Sequence, residues 1–290
     1  MTLDAGDPEH FSYAAPDDPR FRRLLIRVIE RMSGQPHLKR LYDTHRKAPR
    51  SGESFWEASI RQLELKVVCN EEALKRLPAT GPLVIVANHP FGVLDGLVIS
   101  YLTSKVRDDF RVLTNSVLYR AEEIRTYLLP IDFAETKEAL STNLKSRAEA
   151  KAHLTRGGCL VIFPAGGAST APKPWSRRAV DSEWKTFTAR LITQAKAPVA
   201  PIYFAGQNSR LFQIASHISM TLRLSLFFKE VYDKIGSEIR VRVGDVIPFE
   251  KLADLDRKEF MEFLREATYA LATHAPNPPR RRRPLRKPPA

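Results

Sequence analysis

Three short, unbroken apolar runs constrain this chain more than any other feature: Leu83-Val84-Ile85-Val86-Ala87, Cys159-Leu160-Val161-Ile162-Phe163, and the stretch from Val199 to Phe204. A strand with one wet face alternates apolar and polar residues, so runs like these belong inside a sheet covered on both sides. Strands are expected at 63–68, 83–87, 110–113, 160–163, 199–204 and 239–243, and helices at 95–104, 137–156, 183–195 and 256–272. Strands alternating with helices predict an α/β layer fold, a central mixed sheet flanked by helices. The last strand alternates Ile239, Val241 and Val243 with Arg240 and Arg242, as a half-exposed edge would. The final helix carries Phe260, Phe263, Leu264, Ala267 and Leu271 on one core-facing stripe.

With 290 residues and 43% hydrophobic content the chain can bury a full core in one domain. Two cysteines, Cys69 and Cys159, argue against a disulfide framework and fit a reducing compartment. No apolar run reaches transmembrane length, and residues 1–18 lack the basic start and apolar centre of a secretion signal. The expected location is cytoplasmic, with any membrane contact peripheral, on the inner face of the cell membrane.

The formal net charge of +13 calls for an anionic partner. Residues 20–50 hold ten Lys or Arg against two acids, Glu30 and Asp43. Within them Phe21, Leu24, Leu25, Val28, Ile29 and Met32 recur at helical spacing, with Arg20, Arg22, Arg23, Arg27 and Arg31 around the stripe. Such an amphipathic helix either lies in an anionic bilayer interface or packs its stripe on the domain. At the other end, Arg280 to Arg283, Arg286 and Lys287 stand among prolines, a composition that forms no core. No aromatics interleave these cations and no familiar nucleic-acid motif is present, so an anionic membrane surface is the expected partner and specific nucleic acid is not. The chain thus divides into an N-terminal helical membrane-docking segment (1–62), an α/β domain (63–275) and a disordered basic tail (276–290).

The run Asn88-His89-Pro90-Phe91-Gly92-Val93-Leu94-Asp95-Gly96 leaves the 83–87 strand and enters a helix, with a histidine and a carboxylate six positions apart. Pro90 keeps His89 out of the helical region, and Asp95 falls in the first helical turn, so the two can meet across the turn. The carboxylate would then fix the imidazole tautomer and leave the other ring nitrogen to take a proton from a hydroxyl. A plain turn followed by an N-cap is the competing explanation. A second loop, Pro164-Ala165-Gly166-Gly167-Ala168-Ser169, follows the strand at 160–163, and both loops could face one cleft beyond the strand ends. The Pro-, Gly- and base-rich segment 164–178 reads as a loop over that cleft.

With Ala197-Pro198-Val199-Ala200-Pro201-Ile202, these segments resemble, in order and spacing, the blocks of the glycerolipid acyltransferase superfamily. More narrowly the chain looks like its hemolysin-like branch, which includes the lyso-ornithine lipid O-acyltransferases, through Asn88-His89-Pro90 ending Asp95-Gly96, Phe204 to Phe212, and Arg240 to Gly244. The resemblance spans about residues 65–250. It implies an acyltransferase-like fold and transfer of a fatty acyl group from an acyl carrier protein or coenzyme A thioester to the hydroxyl of a lysolipid acceptor. His89 would be the general base and Asp95 its orienting partner, with no cofactor and no metal. Asn88, Gly92, Phe163, Pro164, Gly166, Gly167 and Ser169 would line the substrate, and backbone amides near Gly166 and Gly167 would meet the oxyanion. Arg120, in a loose match to the second block, and Asn208 and Arg210 would make further substrate contacts.

Departures from the pattern carry information too. Five residues separate His89 from Asp95 where the superfamily has four. Glycerophosphate-type members read Phe-Pro-Glu-Gly-Thr-Arg-Ser in the third block; here Ala165, Gly167 and Ala168 stand for the glutamate, threonine and arginine. Loss of that arginine argues for a non-phosphate head group, ornithine by resemblance. A lipid-surface binding protein whose extra residue has dissolved the pair, and a lipid hydrolase, are the alternatives. The absence of a Gly-x-Ser-x-Gly elbow removes the main support for a serine hydrolase.

Overall fold

The structure is a computed structural model and describes residues 19–47, 50–115, 122–132 and 136–274. The basic tail, the acidic residues 1–18 and Arg120 lie outside the described residues. Seven strands form one sheet: β1 (Lys66–Val68), β2 (Leu83–Ala87), β3 (Phe110–Asn115), β4 (Leu128–Ile131), β5 (Cys159–Ile162), β6 (Val199–Ala205) and β7 (Glu238–Val243), in the order β1-β7-β6-β2-β5-β3-β4. All neighbours run parallel except β6 and β7, so the sheet is mixed, as expected.

β2 sits at the centre between β5 and β6, and all five of its residues are buried. Its side chains alternate between two cores. Leu83, Ile85 and Ala87 join one with Trp56 and Ile60 of α3 (Phe55–Gln62) and Leu94, Val98 and Leu102 of α5 (Val93–Ser104). Val84 and Val86 join the other with Ala150 and Leu154 of α6 (Lys137–Thr155), Ile192 of α7 (Phe187–Ala195) and Phe260 and Leu264 of α11 (Arg257–Ala270). Each such aliphatic side chain contributes about 1.5–3 kcal/mol when fully buried, so the unbroken apolar run is what a doubly covered strand requires.

Several expectations need correcting. β7 is not an edge: its alternation records one half-buried face, while β1 forms the outer strand beside it. β1 begins at Lys66 rather than 63, because Glu64 adopts φ +50 and breaks the extended chain. β4 escaped the sequence reading, being four residues long and containing Pro130, which an edge strand tolerates. α7 starts at Phe187 rather than 183, because Lys185 donates its N–H to the Pro164 carbonyl and Trp184 its indole N–H to Asp181.

α1 (Arg20–Met32) is helical as expected, but it packs through Ile26 and Glu30 and, of the stripe, through Ile29 alone. Phe21, Leu24, Leu25, Val28 and Met32 face outward. α1 packs on α9 (Met220–Ser225), which in turn packs on α8 (Arg210–Ile218). Leu211, Ile214 and Ile218 of α8 and Met220 of α9 are also exposed. Leu38 of α2 (Gln35–Lys47) and α3 share the core of the α/β unit with Leu74 of α4 (Glu71–Lys75) and Val231 of α10 (Phe227–Tyr232), so the N-terminal helices after α1 are built into the domain. No helix among the described residues is long and apolar enough to cross a membrane.

Candidate active site

The carboxyl ends of β2, β5 and β6 lie side by side, and the chain leaves each of them into a loop. This is where open α/β sheets bind ligands. From β2 the chain passes Asn88 to His89. The side chain of Asn88 extends the ladder past the last strand residue, donating to the Phe204 carbonyl at 2.9 Å and accepting the Phe204 N–H at 2.7 Å. His89 is followed by Pro90 and by a turn at Gly92 with φ +72 and ψ −119, a region glycine alone adopts without strain. A Cβ there would stand 2.3 Å from Cε1 of Phe227.

That turn returns Asp95 beneath His89. Oδ2 of Asp95 lies 3.0 Å from Nδ1 of His89 and accepts the N–H groups of Phe91 and Gly92 at 2.8 and 2.9 Å. The five-residue spacing therefore does not separate the pair. An acceptor with three donors around it is a carboxylate, so Nδ1 holds the ring proton and Nε2 keeps its lone pair. Asp95 is fully buried, and burial pushes its carboxyl above the ordinary range, opposed by the imidazole and the two amides. The imidazole is 18% exposed and stacks on Phe163 with ring centroids 4.1 Å apart.

A second carboxylate fixes the backbone of the same histidine. Oδ1 of Asp181 accepts the His89 N–H at 3.1 Å and the Ser169 hydroxyl at 2.5 Å, and Oδ2 accepts the Trp184 indole N–H at 2.9 Å. Ser169 closes the circuit by donating its own N–H to the His89 carbonyl at 2.7 Å. The loops after β2 and β5 are thereby tied into one unit. The sequence reading missed Asp181 and Trp184, since an Asp three residues before a Trp in a loop has no motif value; only its partners, distant in sequence, give it meaning.

Other candidates divide by what they touch. Gly166, at φ +74, donates its N–H to the Phe163 carbonyl and is thus committed to the turn. The amides of Gly167 and Ala168 find no acceptor among the described residues and are the better placed pair for an oxyanion. Pro164 accepts the Lys185 N–H. Asn208 is buried with neither its amide oxygen nor its nitrogen bonded among the described residues. Arg210 is exposed and donates to the carbonyls of Pro174 and Ser176, so it holds the loop at 170–180, which a bridge between Thr170 and Val180 closes. Gln207 and His217 bond the same loop at Arg177, Ala179 and Ala171.

The pattern of the family described as Acyltransferase matches residues 22–275. The chain belongs to that family. Curated relatives include a lyso-glycine lipid O-acyltransferase of Phocaeicola vulgatus, 26% identical over 76% of this chain and 78% of the relative. Another of the same name, from Bacteroides thetaiotaomicron, is 25% identical over 76% of this chain and 80% of its own. The crystal structure of the 1-acyl-sn-glycerophosphate acyltransferase PlsC from Thermotoga maritima matches 90% of this chain and 84% of that one with a TM-score of 0.50 at 13% identity, a likeness of fold.

In this acyltransferase one cation by the loop after β5 has no motif in the sequence to announce it. Arg223 of α9 donates from Nη1 to the Thr170 hydroxyl at 2.7 Å and from Nη2 to the Ala168 carbonyl at 2.5 Å, and its guanidinium lies 5.5 Å from the centre of the Phe212 ring. Burial pulls its pKa below the usual arginine value, with no opposing carboxylate among the described residues. The absence of an arginine within the third block, read as loss of a cation, is thus offset by one arriving from a helix more than fifty residues later.

Proposed function

We propose that this acyltransferase moves a fatty acyl group from an acyl carrier protein or coenzyme A thioester to the hydroxyl of a lysolipid with an amino-acid head group. The observation that carries the reading is the 3.0 Å approach of Asp95 Oδ2 to His89 Nδ1, which leaves Nε2 to act as a base. Nε2 takes the acceptor's hydroxyl proton as its oxygen attacks the thioester carbonyl. Asp95 stabilises the imidazolium that forms, and the Gly167 and Ala168 amides meet the oxyanion. Collapse of the tetrahedral intermediate breaks the C–S bond, and the imidazolium returns the proton to the departing thiolate. No acyl-enzyme forms, and no cofactor takes part.

The head group is read from the relatives, whose names carry glycine where the sequence resemblance gave ornithine. An amino-acid head group is common to both. The enzyme works at the inner face of the cell membrane, docked by the outward stripe of α1, whose Phe21 and Met32 are 78% and 85% exposed. Exposed arginines at 20, 27 and 31 flank the stripe and suit anionic lipid, each cation near the surface contributing about 1 kcal/mol.

The test is transfer of a labelled acyl group from each donor to a panel of lysolipids, with His89→Ala and Asp95→Ala beside the parent. Ester that forms with the parent and is lost in both variants supports the reading. Free fatty acid without ester means a hydrolase, and liposome binding without either product means a binding protein.

A further inference from the structure

A guanidinium taken out of water without a counter-charge is costly, and a carboxylate or phosphate in contact with it recovers most of that cost. Arg223 is partly withdrawn from water in this way: it is half-buried, no carboxylate pairs with it among the described residues, and two of its five donors are occupied, by Thr170 and Ala168. Those two residues flank Ser169, and the Ala168–Ser169 peptide that accepts from Arg223 at its carbonyl donates at its N–H to the His89 carbonyl, so one peptide group links the cation to the His89 backbone. Gln213 supports the same turn from α8, accepting the Ala171 N–H at 2.8 Å, while its fully buried side-chain nitrogen has no acceptor among the described residues.

α9, which carries Arg223, packs between α1 and α8, the helices with the outward apolar residues. A lipid whose chain lies in a bilayer against that face would bring its head group to α9 on the way to His89. We infer that Arg223 seats the oxyanion of the acceptor's head group and so selects acidic lysolipids over neutral ones. This rests on the acyltransferase reading above and deepens it. The shared chemistry is a carboxylate or a phosphate; the amino-acid head group favours a carboxylate, which the planar guanidinium fork can hold with two parallel bonds.

The experiment compares kcat/KM for an N-acylglycine bearing a chain hydroxyl with that for its methyl ester, and for lysophosphatidate with that for monoacylglycerol, in the parent, Arg223→Gln and Arg223→Lys. Arg223→Gln should lower the acid-to-ester ratio about tenfold or more, the size of one charge-assisted hydrogen bond, and Arg223→Lys should restore part of it. A ratio that falls only for the phosphate pair keeps the oxyanion seat and overturns the carboxylate head group. Equal losses on charged and neutral acceptors, or a change confined to donor KM, would overturn the inference, because a residue that merely props the turn cannot discriminate head groups. Equilibrium binding of the N-acylglycine and its ester to the parent and Arg223→Gln keeps the two failures apart: charge-selective, Arg223-dependent binding without transfer sinks the acyltransferase reading and leaves the seat standing.

Discussion

Asp181 accepts the backbone N–H of His89 at 3.1 Å from ninety-two residues along the chain. Asp95 sets the direction of the imidazole and Asp181 sets the place of its backbone, so two carboxylates divide the work of positioning one histidine. Asp181→Ala leaves the His89 N–H, the Ser169 hydroxyl and the Trp184 indole without their acceptor. Stability should fall by about 2–4 kcal/mol, since each buried orphan costs about 1–3 kcal/mol and the hydroxyl can turn elsewhere. Because Asp181 has no contact with the imidazole itself, kcat should drop while the pH at which activity rises stays put; denaturant unfolding and a pH–rate profile check both.

His89→Ala should reduce kcat by a factor of about 10²–10⁴, the usual contribution of a general base. The imidazole is partly exposed and its loss removes one hydrogen bond from a carboxylate that keeps two amides. Thermal unfolding should therefore stay within a few degrees of the parent. A variant that keeps activity, measured by ester formation in single turnover, would remove His89 from the mechanism.

Asp95 gives a pH-dependent signature with a definite sign. Its folded pKa is raised above the ordinary 3.8 by burial. For such a group the stabilising contribution is whole below the unfolded pKa and is lost as pH rises through the folded value. Asp95→Asn removes the ionisation, so the Tm of the variant minus that of the parent should increase as the pH rises above the ordinary carboxyl range. The variant should be inactive throughout, because an amide does not stabilise an imidazolium. Parallel Tm curves would mean that Asp95 is not charged at the cost of stability.

What was legible in the sequence is whatever is local. β2, β5 and β6 announce themselves because full burial needs only a run of aliphatic residues, and the His89–Asp95 pair because one turn connects it. Elements whose identity depends on partners were not legible. β4 exists because β3 offers a parallel edge, Asp181 matters because of three distant donors, and Arg223 because a short helix delivers it to Ala168. The spacing of the stripe on α1 was plain, but not which way it faces; that is decided by Ile26 and the fully buried Glu30 on the opposite side.

Gly92→Ala tests the turn that joins the two halves of the pair. The added methyl meets Phe227 at 2.3 Å, and φ +72 with ψ −119 is strained for any L side chain. Backbone strain alone costs about 1–3 kcal/mol, before the displacement of the ring. Both stability and kcat should fall, since any shift of this turn moves the amides that hold Asp95. Unchanged kcat with lowered stability would show that the pair tolerates a looser turn.

Docking on a membrane makes a separable demand on the surface. If only charge held the protein, liposome binding would vanish with salt and ignore the apolar side chains; if the outward stripe inserts, the reverse holds. Leu24 and Met32 are exposed and make no contribution to the core, so Leu24→Asp with Met32→Asp should leave the fold intact. On vesicles with anionic lipid the double variant should lose about tenfold or more in affinity, since each buried apolar side chain is worth about 1.5 kcal/mol or more and each new carboxylate is repelled. Activity on detergent-dispersed acceptor should persist, which separates a docking defect from damage to the site. Binding that is unaltered by the double variant, in sedimentation with vesicles at moderate salt, would take α1 out of the membrane contact and leave the exposed residues of α8 and α9 as the face to test.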